Sequence, residues 1–266
     1  MTRQKLRYRL LGLISFWAQC LRRLFPAWKA LAMAVDRFSF VRSAYGPYLW
    51  VTPEDRTFEL CVTGYGRFVS DAIANQDRPF VFLDIGANLG LFSLLAAKNP
   101  HCQRVIAFEP LPAIFRNLEA NIRRNQAVKI EPILGAVTDG REGFVYLSFN
   151  KRHSGMSRIG DGPHEAVRAP TISAEMLDSL LANASTAIVA KIDVEGSEID
   201  VMSALRKTRF YGAVDEIIIE ISEVKLGAAK RGQLIAQLIQ DGYVELSHAG
   251  AANHYDARYR RIRRSD

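Results

Sequence analysis

Phe80-Val81-Phe82-Leu83-Asp84-Ile85-Gly86-Ala87-Asn88-Leu89-Gly90 is the stretch that decides the fold. A short apolar run ends in an acid, turns through Gly86, and leads into Leu89 to Lys98, whose composition is helical. A buried strand turning through glycine into a helix is the opening half of a βαβ unit. The pattern then repeats, with Arg104 to Phe108 as a second strand and Pro112 to Asn125 as a second helix. Successive units of this kind form a parallel sheet with right-handed crossovers.

Toward the C-terminus, Lys129 to Val137 reads as a third strand, interrupted at Pro132 and therefore suited to a sheet edge. Gly143 to Phe149 alternates like a further strand. Residues 150–170, rich in Gly, Pro, Ser, His and Arg, read as a mobile surface loop. Ala187 to Ile192 is a strand, Glu198 to Arg206 a helix, Asp215 to Ile221 a strand and Gln233 to Gln240 a helix ending at Gly242, with a last strand from Tyr243. The expected fold is α/β, a doubly wound, mostly parallel sheet with helices on both faces. Its expected boundaries are a helical extension over residues 1–45 and one domain over 46–266, with a core at about 80–247.

The chain has 266 residues, 48% hydrophobic and 24% charged, which excludes a disordered chain, a collagen and a small disulfide-stapled scaffold. Cys20, Cys61 and Cys102 form no C-x-x-C pair, so neither a disulfide framework nor a thiolate zinc site is indicated, and a reducing cytoplasm is expected. Net charge is +7 and sits at the ends: residues 1–35 hold seven Lys or Arg and no acid, and residues 256–266 hold five Arg against two Asp. The stretch between is mildly acidic, so a polyanionic partner would meet the termini. Leu6, Leu10, Leu13, Trp17, Leu21, Leu24, Trp28, Leu31 and Val35 recur every three or four residues, as on an amphipathic helix broken near Phe25 by Pro26. The longest uncharged run, Leu10 to Leu21, is 12 residues and too short to span a bilayer. Arg22, Arg23 and Lys29 separate it from the Ala-x-Ala triplets of residues 30–34, which disfavours a cleaved export signal. Packing on the domain or a second subunit is the first expectation for this helix, and peripheral contact with the inner membrane surface the second.

Ligands of open α/β sheets bind beyond the carboxyl ends of the strands, where Asp84 to Gly90 lies. The spacing is Gly-x-x-x-Gly and not the Gly-x-Gly-x-x-Gly of a pyrophosphate loop. Asp84 suits a ligand with a positive end, and Glu109, ending the second strand 25 residues on, stands where an acid accepts hydrogen bonds from ribose hydroxyls. A nucleoside joined to an amino acid satisfies both, and S-adenosylmethionine is such a molecule.

These stretches resemble the FkbM-type S-adenosylmethionine-dependent methyltransferases. Val81 to Gly90 resembles the family's first motif, Ala107-Phe108-Glu109-Pro110 followed by Phe115 to Asn121 its second, and Lys191-Ile192-Asp193-Val194-Glu195-Gly196-Ser197-Glu198 its signature. The likeness runs from about Asp84 to Gly242. It implies a Rossmann-like class I fold that methylates a hydroxyl, commonly on a sugar or polyketide. It also implies Asp84, Gly86, Ala87, Asn88, Gly90, Glu109 and Pro110 as cofactor contacts, with Ala136 and Val137 beside the adenine.

A sugar hydroxyl is a weak nucleophile until its proton leaves, so a general base is expected. Asp193 is the first candidate, with the alternative that it holds the turn or the cofactor's amino group; Glu195 and His153 are the others. Glu198, at a helix start, reads as a cap. Five dispersed histidines, and Asp193 with Glu195 alone, are too few for a metal, and none is expected. The expected acceptor is a small molecule or glycan: a saccharide, lipid-linked glycan or polyketide. Two alternatives are a methyltransferase of RNA or protein working through the basic termini, and a non-catalytic scaffold. Nucleic acid is disfavoured because no Asn-Pro-Pro-Tyr or Asp-Pro-Pro-Tyr element occurs, and the Arg258 to Arg264 run reads as a solvated tail.

Overall fold

A computed structural model describes residues 40–140, 143–160, 166–181 and 186–262. The amphipathic stripe read within residues 1–39 lies outside the described residues, as do Cys20, Arg263 and Arg264. β1 (Phe40–Arg42) and β2 (Tyr48–Trp50) form an antiparallel hairpin, so residues 40–45 are strand and turn, and the expected helical extension does not reach residue 45. Gly46, at φ 100°, supplies the reversal, closed by the Ser43 amide donating to the Pro47 carbonyl at 2.8 Å.

Two helices absent from the sequence reading follow, α1 (Arg56–Thr63) and α2 (Arg67–Ala74). Then come β3 (Phe80–Ile85), α3 (Leu91–Lys98), β4 (Cys102–Glu109), α4 (Pro112–Arg124), β5 (Ile130–Leu134) and β6 (Ala136–Val137). β7 (Phe144–Ser148), β8 (Arg158–Ile159) and β9 (Ala166–Ile172) form with β6 a small sheet ordered β6-β9-β7-β8. α5 (Ala174–Leu181), β10 (Ala187–Ile192), α6 (Glu198–Arg206), β11 (Val214–Ser222), α7 (Glu223–Leu226), α8 (Ala228–Gln240), β12 (Tyr243–Ala251) and β13 (His254–Arg261) complete the chain.

The main sheet is ordered β12-β13-β11-β10-β3-β4-β5. Its five strands from β11 to β5 run parallel, and β13 is antiparallel to β11 and to β12. β5 with Pro132 is an edge, as its missing N–H requires. The chain winds outward from β3 to β5 and returns to β10 on the other side of β3, which creates the switch-point crevice between β3 and β10.

Strand alternation decides what meets there. Val81, Leu83 and Ile85 of β3, Ile188, Ala190 and Ile192 of β10 and Ile217, Ile219 and Ile221 of β11 share one face and one apolar core with α5, α6 and α8. Phe80 and Phe82, Val105 and Ala107, Val189 and Ile218 point the other way, into a core with α2, α3 and α4. By the same period of two, Asp84, Glu109, Lys191 and Glu220 fall on this second face at the carboxyl ends of four adjacent strands.

Two expectations are corrected here. Residues 150–170 are not an unanchored loop: a 3-10 turn (Ser154–Met156), β8 and β9 occupy much of it, and Ser154 is buried. The basic tail is not simply solvated, because β13 is a sheet strand inserted between β11 and β12. Arg258 Nε and Arg260 Nη2 donate to the buried Glu216 carboxylate at 2.5 and 2.9 Å, so two of the tail's charges are spent inside the fold. No helix among the described residues is long and apolar enough to cross a membrane.

Candidate active site

A cavity of about 400 Å³, within the range of small-molecule sites, opens over the tips of β4, β3, β10 and β11. The turn after β3 is bonded to its neighbour strand, with the Gly86 and Ala87 amides donating to the Phe108 carbonyl at 3.1 and 2.9 Å. Glu109 lines the cavity and is buried; its Oε2 accepts from the Asn88 amide at 2.9 Å and its Oε1 from the Leu111 amide at 2.8 Å. Each oxygen keeps one lone pair for a ligand hydroxyl. Burial pushes the Glu109 carboxyl up to about 7, against the opposing pull of those two amides and of Lys191. Asn88 adopts a left-handed φ of 49°, and its Oδ1 accepts from the Leu89 amide and the Ser154 hydroxyl.

Asp84 does not line the cavity and is 0% exposed, which corrects the expectation that it faces the ligand. Its Oδ2 accepts from the Ser93 hydroxyl at 2.6 Å and its Oδ1 lies 3.4 Å from Lys191 Nζ. Strand alternation turns it under the glycine turn toward α3. Lys191 Nζ also donates to the Gly86 carbonyl at 2.8 Å and lies 3.5 Å from Asp193. Burial pulls the Lys191 pKa down, but Asp193 and Asp84 outweigh that and leave it raised.

The glycines serve packing as well as the turn. A Cβ on Gly86, at φ 83°, would stand 2.0 Å from the Asp193 carbonyl oxygen, so β3 and β10 approach there too closely for any side chain. One on Gly90, at φ 80°, would meet Leu118 Cδ1 of α4 at 2.3 Å; Gly90 lies outside the cavity wall.

Asp193, Glu195 and His153, the three candidates for proton transfer, all border this one cavity, as do Ala87, Pro110, Ala136 and Val137. Glu195 sits at a left-handed φ of 58° and pairs with Lys225 Nζ at 2.6 Å; burial, then Asp193, push its carboxyl up to about 7. Burial also lowers the His153 pKa, with Asp55 opposing. Glu198 is buried and its Oε1 accepts from the Gly196 amide at 3.0 Å, the capping role expected for it. Leu147 and Ile159 of the small sheet complete an apolar end beside Ala136 and Val137.

Several residues in or just behind the wall escaped the sequence reading. Asp55 caps α1 through the Thr57 amide at 2.9 Å and accepts from both the Ser154 amide at 2.9 Å and hydroxyl at 2.6 Å; Thr57 Oγ1 accepts from the Gly155 amide at 2.7 Å. This clasp holds residues 154–155 against the cavity. Glu220 follows the Ile217–Ile219 run of β11 as Glu109 follows the apolar run of β4, a signal present in the sequence. Nothing local marked Lys225, whose Nζ lies 2.5 Å from Glu220, or Tyr65 and His254 in the same wall. Asp193, Glu195 and Glu220 come within 4.8 Å of one another, a closer acid group than the two residues weighed in the sequence, and the cation lodged against Glu195 and Glu220 is Lys225.

Residues 84–248 match the family model described as the methyltransferase FkbM domain. The chain belongs to that family. The FkbM domain is an S-adenosylmethionine-dependent methyltransferase domain, and S-adenosylmethionine is its cofactor. A curated relative, the AMB antimetabolite synthetase AmbE of Pseudomonas aeruginosa, is 28% identical over 204 residues, 63% of this chain. The chain spans only 10% of that relative's length. Among solved structures, precorrin-6y C5,15-methyltransferase from Geobacter metallireducens is similar at 14% identity and TM-score 0.44, covering 74% of this chain and 87% of that one. TrmK of M. capricolum, solved with S-adenosyl-homocysteine, aligns at 11% identity and TM-score 0.42 over 75% of this chain and 70% of its own.

Proposed function

We propose that the FkbM domain transfers a methyl group to a hydroxyl of a neutral, polyhydroxylated acceptor, with saccharides and lipid-linked glycans ahead of polyketides. The observation that carries this is the polarity of the cavity, apolar at Ala136, Val137, Leu147 and Ile159 and rich in carboxylates at Asp193, Glu195 and Glu220. The apolar end suits an adenine. Glu109, with a lone pair left on each oxygen, suits the ribose hydroxyls, and Gly86, Ala87, Asn88 and Pro110 border the space between. The bound cofactor supplies an electrophilic methyl group on a positively charged sulfur. The residues present fit that group, since its cation would stand among carboxylates in a partly desolvated wall.

Asp193 is the general base in this proposal. It borders the cavity beside Lys191, which anchors the start of the signature loop to the Gly86 turn, so its orientation is held before an acceptor arrives. Carboxylates accept hydroxyl protons and repel phosphates, which favours a polyol over RNA at this end.

The test is a titration with S-adenosylmethionine and S-adenosylhomocysteine, followed by incubation with labelled cofactor and fractionated cell extract. Label in glycan or lipid-linked saccharide is the expected result; label in RNA or protein, or binding of neither ligand, overturns the proposal. Asp193→Asn is expected to slow transfer by roughly 100-fold or more while cofactor affinity changes less than about threefold. Equal loss in both would make Asp193 a cofactor ligand instead.

A further inference from the structure

β13 brings to the site a residue from beyond the family-matched stretch 84–248, Asp256, which pairs in register with Glu220 of β11. Residues directly opposed across an antiparallel pair share a face, so Asp256 joins Glu220 on the side that carries Lys191. A second cavity of about 10 Å³, the room of a single water, lies between them. Lys191, Asp193, Glu220 and Tyr65 border both cavities, and Asp256 borders the small one.

The charges do not balance. Lys191 lies between Asp84 and Asp193 at 3.4 and 3.5 Å, and Lys225 between Glu195 and Glu220 at 2.6 and 2.5 Å. The half-buried side chain of Asp256 has no hydrogen bond or ion pair among the described residues, which leaves five carboxylates against two ammoniums. The charged groups facing Asp256 are Glu220 from β11, Lys191 and Asp193 from the end of β10 and the residue after it, and Lys225 from α7. Tyr65, ahead of α2, borders the same small cavity, and His254 lies 3.4 Å from Glu220. Burial and neighbouring negative charge raise the carboxyls of Glu195, Glu220 and Asp256. Glu198, buried nearby, leaves its Oε2 without a hydrogen-bond partner.

We propose that Asp256 and Glu220 act as one proton-holding group, reached from Asp193 through the water-sized cavity, which gives up a proton when a cation enters the main cavity and takes one back when that cation is neutralised. The inference rests on the methyltransferase reading above. Burial, followed by Asp193 and Glu220, pushes the Asp256 carboxyl up to about 7, and burial and Asp193 raise Glu220, in keeping with a shared proton at neutrality. In the transfer, a lone pair of the acceptor oxygen forms the new O–C bond, and the electrons of the broken C–S bond stay on sulfur. The hydroxyl proton passes to Asp193 and onward to Glu220 and Asp256. One positive charge leaves the sulfur as one arrives on the carboxylates, so the net charge of the wall and ligands is unchanged. Asp256 is thereby a positioning residue for the proton, acting through Asp193.

Calorimetric titration of the full chain at pH 7, in two buffers of different ionisation enthalpy, counts the protons released by each ligand. S-adenosylmethionine is expected to release more than S-adenosylhomocysteine, by up to about half a proton, because a group with a pKa near 7 is half protonated there. In Asp256→Asn that difference is expected to fall by half or more, Glu195 in the main cavity accounting for the remainder, while both ligands still bind. Equal release by the two ligands in the unaltered protein overturns the inference and leaves the methyltransferase reading standing. An undiminished difference in Asp256→Asn also overturns it. If that variant does not fold, the unaltered protein alone decides. Binding of neither ligand overturns both.

Discussion

Gly86→Ala isolates the close approach that builds the crevice. Gly86 and Gly242 have the same φ, 83°, but a Cβ at Gly86 would stand 2.0 Å from the Asp193 carbonyl oxygen, whereas at Gly242 nothing lies within 4 Å. Both substitutions incur the left-handed penalty of about 1–2 kcal/mol. Only Gly86→Ala must also force apart the tips of β3 and β10, where the Asp193 amide donates to the Ile85 carbonyl at 3.1 Å. Overpacking of this kind costs about 1–3 kcal/mol more. At roughly 2–4 °C per kcal/mol for a domain of this size, Gly86→Ala should melt about 2–12 °C below Gly242→Ala. Because the Gly86 carbonyl accepts from Lys191 at 2.8 Å, the movement should also weaken binding of S-adenosylhomocysteine, while Gly242→Ala leaves it intact. Gly90→Ala, which meets only the movable end of Leu118, should fall between. The assay is thermal denaturation of the three variants with a parallel binding titration. Equal melting temperatures for Gly86→Ala and Gly242→Ala would refute the packing account of the turn.

Glu109→Gln sets an amide donor against the Asn88 or Leu111 N–H and should cost about 1–3 kcal/mol. The native carboxyl, raised from 4.5 to about 7, stabilises the fold most fully below pH 4.5, and that contribution is lost as the pH climbs through 7. The deficit of the variant in urea unfolding should therefore be larger at pH 5 than at pH 8, and a deficit that grows with pH would contradict the burial argument. Asp55→Ala removes the α1 cap and strands the buried Ser154 amide, at about 2–4 kcal/mol together. Amide exchange at residues 153–157 should accelerate far more than exchange in β3 or β10; uniform acceleration would mean that the clasp is not local.

The βαβ units were legible because burial on both sides makes parallel strands continuous apolar runs: Ala187–Ile192 and Glu198–Arg206 read from the sequence with their observed bounds. Glu109 was legible for a related reason, as an acid closing such a run. The 3-10 turn at Ser154 was not, because its partner Asp55 lies 99 residues away and no local pattern encodes that hydrogen bond. The Arg258 to Arg264 run misled because charge is visible in a sequence while Glu216, the buried acid that receives it, is visible only once β13 lies beside β11.

What the amino-acid order alone determined is local: strand and helix periods, the glycine turn, and the acids and the lysine that end or cross the strands. What the tertiary structure decided is which of those ends become neighbours. The strand order and the two-residue alternation turn Asp84 under the Gly86 turn, set Glu109 in the cavity wall, and bring Asp256 across from Glu220. The charge state of such a group depends on burial and on distances of a few ångströms, and both exist only after chain segments more than a hundred residues apart have packed.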